Sequence, residues 1–463
     1  MKKLATLLIA AGLVMGAAAP SANAGDVKLF GQMQHQFMTG NTWGTGGLYQ
    51  PLKFGSKIDM GFQYIASESL SGTVILRAGH GDANDYWAEW GQGPKMFSQK
   101  IDPNNGASRF YVKNAYLDWL IPGTRVAVRM GLQSLTTPAW CNGPTIVAGA
   151  ADMAGVSVNV PVNDSFNFTV AWFRQAGANN LAVPGTAYWG HNFGRNKFYA
   201  VATYRGNGLT IQPYAQYDRI GSDGTLGLEP AYMWNIGIGG QYVFNPFVFE
   251  FNAAYGQEKN PNGSAYKWTN ANGSNVNNVT GKRKGFVLKA NAGYKTAWGT
   301  PTLDLWYYSG DKQKEANYSG QMPHDGGSNN VALLRTNRSM FLGDGVGNPR
   351  VMGTTGVALS WKNLSFVKGL NHTAIVSYWR GTNNVRLNGA DRAKYGDFGY
   401  MTTKDRYIEA DLINTYQIYP QLQFGLELAY GWAKFKMYDG AKWVKDEAIK
   451  NGWRISGGFT YNF

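Results

Sequence analysis

The chain has 463 residues, of which only 16% are charged, 14% are aromatic and 60 are glycine, with a formal net charge of +14. That aromatic content excludes a disordered chain. Apart from the start of the chain no apolar run approaches the ~20 residues of a helical membrane span, so helices do not present the 44% of hydrophobic residues. The first 24 residues read as an export segment, with Lys2 and Lys3 followed by an apolar stretch over 4–19 and an A-x-A cleavage site ending at Ala24. Residues 25–463 are then one exported domain.

Within that domain apolar and polar residues alternate with period 2, the mark of a strand with one apolar and one polar face. The template predicts strands at 27–37, 56–66, 72–80, 111–121, 125–133, 155–161, 166–175, 197–205 and 209–218. It continues at 233–242, 247–257, 284–295, 301–309, 353–362, 371–381, 406–418, 421–433 and 453–463. Each is close to the ~9–11 residues that a tilted strand needs to cross a bilayer. The last is the clearest. Trp453, Ile455, Phe459, Tyr461 and Phe463 share one face with Gly457, and Arg454, Ser456, Thr460 and Asn462 lie on the other. Its aromatic end, Phe459, Tyr461 and Phe463, resembles the C-terminal signal read by barrel-assembly machinery. Eighteen strands is the count; sixteen is the alternative, with 155–161 and 72–80 the weakest spans.

Connections alternate between short turns, such as 121–124, 161–165, 205–208 and 243–246, and long loops such as 81–110, 134–154, 258–283 and 310–352. Short periplasmic turns against long external loops is the outer-membrane pattern, and aromatics near both ends of the strands match its two interfacial girdles. The fold expected is an all-β transmembrane antiparallel barrel. The 310–352 loop, rich in Gly, Asn and Lys, reads as a mobile surface segment.

The stretches VKLFGQMQHQF, AYLDWLIPGTRVAVRMGLQSLTTPAW, LNHTAIVSYWRGTNN and YIEADLINTYQIYPQLQFGLELAYGWAKF resemble the outer-membrane homotrimeric porins of sulfate-reducing bacteria. The resemblance covers essentially the whole chain after residue 24. It implies a homotrimer in outer-membrane lipid and lipopolysaccharide, with passive diffusion of small hydrophilic solutes through three pores. It also implies that the loop after the fifth strand, 134–154, folds inward to form a constriction. It does not identify the solute.

Alternation places Lys28, Lys57, Arg77, Arg125, Arg129, Arg205, Lys289, Lys295 and Arg454 on the inner face with Asp59, Asp118, Asp218, Glu250, Asp304, Glu409, Asp411 and Glu427, a nearly neutral set. A Lys or Arg facing mid-membrane lipid would cost ~2–4 kcal/mol, so these side chains belong in the lumen. Arg77, Asp118, Arg125, Arg129, Trp140, Asp152, Lys289, Asp304 and Glu427 are the expected pore and constriction residues. With Asp152 the only acid in the 134–154 loop, the expected field is positive and favours anions modestly. Inward aromatics (Tyr116, Phe173, Tyr199, Tyr214, Trp306, Tyr308, Trp379) are spread around the wall, which suits filler better than a sugar track. An 18-strand count keeps a substrate-selective channel for sugars or organic acids as the alternative.

Other classes find less support. Five scattered histidines and a single cysteine, Cys141, give no metal or haem motif, so no cofactor is expected. A barrel enzyme needs an acid–base constellation, and no Ser–His–Asx spacing appears. A surface adhesin rests only on the long loops. No Walker loop, dinucleotide fingerprint or basic helix supports nucleic-acid binding.

Overall fold

An extended segment satisfies its amides only by pairing with a neighbour. The computed structural model describes residues 25–41, 49–80, 88–89, 108–135, 137–143, 153–176, 195–220, 231–260, 268–269, 275–276, 281–310, 318–323, 329, 331–334, 353–384, 401–438, 442–445 and 451–463. The export segment with Ala24, and Asp152, lie outside the described residues. All 18 expected spans are strands. They are β1 (Asp26–Asn41), β2 (Tyr49–Ser67), β3 (Leu70–His80), β4 (Ser108–Leu120), β5 (Ala127–Gln133) and β6 (Met153–Pro161). Next come β7 (Phe166–Ala176), β8 (Arg195–Gly206), β9 (Leu209–Ile220), β10 (Ala231–Phe244), β11 (Phe247–Asn260) and β12 (Gly281–Tyr294). The last six are β13 (Thr300–Tyr308), β14 (Thr354–Val367), β15 (Leu370–Gly381), β16 (Arg406–Tyr419), β17 (Leu422–Lys434) and β18 (Gly452–Asn462).

Each strand pairs antiparallel with its successor. β18 pairs antiparallel with β1, from Gln32 opposite Asn462 to Asn41 opposite Trp453. The sheet is thereby a closed ring with no exposed edge. The count is eighteen, not sixteen, because β3 and β6 are each paired on both sides. No helix among the described residues is long and apolar enough to cross a membrane.

Alternation fixes the faces. Phe459, Tyr461 and Phe463 point outward, while Arg454 and Ser456 are buried inside. Two aromatic levels appear on the outer face. Phe247–Tyr294 (5.2 Å) and Phe424–Phe459 (5.1 Å) pack toward the short-turn end. Trp234–Tyr255 and Phe286–Tyr307, both at 5.5 Å, pack toward the long-loop end. The β8–β9 hairpin turns on Asn207 and Gly208, at φ 50° and 78°, the paired left-handed residues of a primed turn.

The lumen is filled unevenly. Phe173, Tyr199, Tyr214, Trp306, Tyr308, Trp379 and Tyr407, projecting inward from β7 to β16, form a buried core. Trp306 and Trp379 pack at 4.3 Å between centroids with their planes tilted by 50°. Segments from two long loops complete this core. Residues 320–323 and 331–334 are buried, which corrects the expectation of a mobile surface segment over 310–352 wherever that loop is described. The cause is visible in its hydrogen bonds. Leu333 N–H donates to Asp411 Oδ2 (3.1 Å), and Leu334 N–H to Glu409 Oε1 (2.5 Å). Gln321 Nε2 reaches Asn383 Oδ1 (2.8 Å) at the start of the next long loop, whose far end, Met401 and Thr402, is buried beside it.

Candidate constriction

The polypeptide leaving β5 turns into the lumen and crosses to the opposite wall. Gln133 holds the point of departure: its Nε2 donates to Arg129 O and Gly155 O, and Ser157 Oγ donates to its Oε1. Cys141 and Asn142 then take left-handed backbone conformations, φ 55° and 64°, which curl the segment back. Every residue from Trp140 to Gly143 is tethered. Trp140 Nε1–H donates to Gln212 Oε1 on β9 (2.8 Å). Cys141 N–H donates to Glu250 Oε2 on β11 (2.9 Å), and Asn142 Nδ2 to Asp304 Oδ1 on β13 (2.7 Å). Lys289 Nζ on β12 donates to Gly143 O, and Lys362 Nζ on β14 to Asn142 Oδ1 (3.4 Å). Glu250 also accepts from Asn291 Nδ2 (2.8 Å) and Gln241 Nε2 (3.1 Å), so its carboxylate is fixed from three sides. Gly239 on β10 lies beneath the indole, where a Cβ would come within 2.6 Å of Trp140 Cδ1.

Three expected residues, Trp140, Lys289 and Asp304, therefore meet at one place. Two carboxylates and two ammonium groups balance there. Burial pushes the Cys141 thiol up to about 12, because a thiolate would lose its hydration; the nearby Lys289 opposes this only in part.

The wall across the lumen from this anchor is built differently. Arg77 and Asp59 stand opposite one another in the β2–β3 register and form a bidentate pair, Nε–Oδ1 2.5 Å and Nη2–Oδ2 2.6 Å. Arg129 and Asp118 repeat it across β4–β5 at 2.6 and 3.0 Å. This planar two-bond geometry is the strong form of an Arg–carboxylate contact. The Arg129 guanidinium also lies 4.1 Å from the centroid of the Tyr116 ring. All four charged groups keep some exposure, between 12% and 21%. Arg77, Asp59 and Lys113 all sit within electrostatic reach of Lys57.

Lys113 is a wall residue that alternation alone hides. Val112 pairs with Leu76 and Asn114 with Ile75, so Lys113 is the extra residue of a β-bulge. The parity break between outward Val112 and outward Leu117 was its only trace in the sequence.

Two expected residues lie elsewhere. Arg125 is in the short turn after β4 and pairs with Asp164 of the next short turn at 3.2 Å, both well exposed, so it belongs to the rim. Glu427 is 1% exposed and accepts from Ser456 Oγ (2.8 Å), with Arg454 at 3.9 Å, on the β17–β18 wall away from the 137–143 segment. The inward aromatics are filler, as expected: all but Tyr116 are at most 5% exposed.

Neither a protein-family model nor a curated protein sequence matches the chain. Solved structures do. OccK8 (OprE) of Pseudomonas aeruginosa aligns over 96% of this chain and 100% of its own, with TM-score 0.54 and 12% identity. OprD of the same organism aligns over 96% and 97%, with TM-score 0.53 and 12% identity. Acinetobacter baumannii OccAB2 covers 95% and 98%, at 0.51 and 13%. At these identities the likeness is one of fold. The fold is that of the 18-strand outer-membrane channels of Gram-negative bacteria.

Proposed function

We propose that the chain is an outer-membrane channel through which small hydrophilic solutes diffuse passively, with a modest preference for anions. The observation that carries this is the 137–143 segment, which crosses a closed barrel and is tied to strands β9 to β14. We place the passage between that segment and the β2–β5 wall, whose paired charges keep 12–21% exposure. There four cations, Lys57, Arg77, Lys113 and Arg129, stand with two carboxylates, Asp59 and Asp118. The anchor side is balanced, so the local field is positive but tempered by the two bidentate pairs. In a passage walled by low-dielectric protein such a field concentrates counter-ions.

A second reading is a substrate-selective channel for small organic acids. It is favoured by the rigid tethering of the constriction and by a structural neighbour, OpdK of Pseudomonas aeruginosa, whose crystal structure is described as being with vanillate, a carboxylate (TM-score 0.52, 9% identity). The sequence resemblance supports assembly as a homotrimer, and the basic start, apolar run and A-x-A site support export with cleavage at Ala24. Planar-bilayer recording tests these readings. Ohmic current closing in three equal steps, with a reversal potential of anionic sign in a KCl gradient, is expected. Cationic sign overturns the preference, and saturable block by one carboxylate selects the second reading. A folded barrel without conductance overturns both.

A further inference from the structure

On the outer face, the short-turn halves of β11 to β16 enclose an apolar groove of about 740 Å³. Ala292, Ala374 and Ala410 are among its lining, as are Leu359, Tyr294 and Trp361. Ala374 and Ala410 sit on the adjoining strands β15 and β16 and Ala292 on β12, each opposite a larger side chain (Trp361, Val376 and Phe249), and this difference in size makes the depression.

Its short-turn end is polar. One pleat beyond Ala374, on the same outward face, His372 stands opposite Asn414, and His372 Nδ1 lies 2.6 Å from Asn414 Oδ1. Asn414 Nδ2–H donates to Leu426 O (3.2 Å), so its Oδ1 accepts from Nδ1–H of the imidazole, and Nε2 donates to an anion in the doubly protonated imidazolium form. The turns below the groove, 245–246, 295–299, 368–369 and 420–421, contain the exposed Lys295 and Lys368 and no Asp or Glu. Elsewhere on the same rim the short turns include Glu68 and Asp164. An apolar slot that opens onto a locally cationic rim matches an amphiphile with an anionic head.

We propose that this groove holds an acyl chain of one anionic phospholipid from the leaflet on the short-turn side, with its phosphate at His372 Nε2 and Lys295. The inference rests on the barrel being membrane-embedded. Its test is native mass spectrometry of the folded chain equilibrated with equal dioleoyl phosphatidylglycerol and dioleoyl phosphatidylcholine.

One retained phosphatidylglycerol is expected. Filling the groove with A374F/A410F should lower retention about tenfold. K295Q/H372L changes only the mouth and should bring the two lipids to near parity while leaving the heat-modifiable gel mobility of the folded barrel unchanged. Equal retention of both lipids by the unaltered chain overturns the proposal. So does undiminished phosphatidylglycerol retention by a folded A374F/A410F barrel. Disulfide-linked copies formed through V376C would show that a second copy occupies the groove instead. Loss of conductance with lipid retention intact would sink the channel reading and leave the lipid site standing.

Discussion

The two sides of the lumen are made from the same alternating strands yet are treated oppositely. Along β2 to β5 two arginines pair with carboxylates across adjacent strands and stay part-exposed, Arg77 with Asp59 and Arg129 with Asp118. From β7 to β17 many inward residues are dry, and the buried charges among them hold chain segments or one another. Lys197 and Asp218, for example, meet at 3.2 Å with 1% and 0% exposure. A wall charge left near water can act on a solute. The same charge under a folded-in loop acts on structure.

The largest expected effect comes from breaking a dry pair. Lys197→Ala leaves the Asp218 carboxylate buried without its cation and should cost about 3–5 kcal/mol in urea unfolding. Lys197→Met with Asp218→Leu should be near neutral, because no uncompensated charge remains. If the single variant costs as little as the double, the two sides do not differ as argued.

Next is the tether itself. Glu250→Ala removes a carboxylate that accepts from the Cys141 amide, at about 1.5–3 kcal/mol for a charge-assisted hydrogen bond. With the segment less firmly held, single-channel conductance and its noise should both rise. Unchanged conductance would mean that the segment does not bound the passage.

On the open wall selectivity is the larger readout. Arg129→Gln should shift the reversal potential toward cations and cost about 1.5–3 kcal/mol for the lost charge-assisted hydrogen bonds, less than Lys197→Ala because Asp118 keeps some contact with water. A shift of the opposite sign would show that another part of the path sets selectivity.

The smallest effect concerns Cys141. With its thiol pushed up to about 12, a maleimide at neutral pH should label the urea-unfolded chain and not the folded barrel. The raised value also fixes a sign. Whatever the buried thiol contributes to stability is complete below the ordinary ~8.5 and is lost as pH rises toward about 12. Melting curves that improve between pH 8.5 and 11 would contradict that assignment.

The strands were legible because alternation is a local property, and the two weakest spans, 72–80 and 155–161, proved as real as the rest. Their ends ran further than the apolar pattern, as in β2, because cross-strand hydrogen bonds continue past the last outward apolar residue. The site was legible in pieces. Parity put Lys289, Asp304 and Glu250 inside, but only the accumulated register of many strands brings them under Trp140 and Cys141. Parity misled at Lys113, where a bulge resets it, and at Arg125, where the strand gives way to a turn. The dry core was not legible. Its second half is loop residues such as Met322, Leu333 and Met401, which carry no periodicity and are bound by amide–carboxylate contacts rather than by pattern.

The pairing of β1 with β18 has its own consequence for how the molecule is made. Gln32 and Asn462 are hydrogen-bonded across 430 positions of chain, so the ring is completed by its two most distant segments. Until the last strand arrives, a growing sheet has two bare rims, each a template for the wrong neighbour. Once it is in place, no strand is first. A chain cut in any short turn and rejoined between β18 and β1 would describe the same cylinder, so the order of synthesis is written in the linear polymer and erased in the finished object.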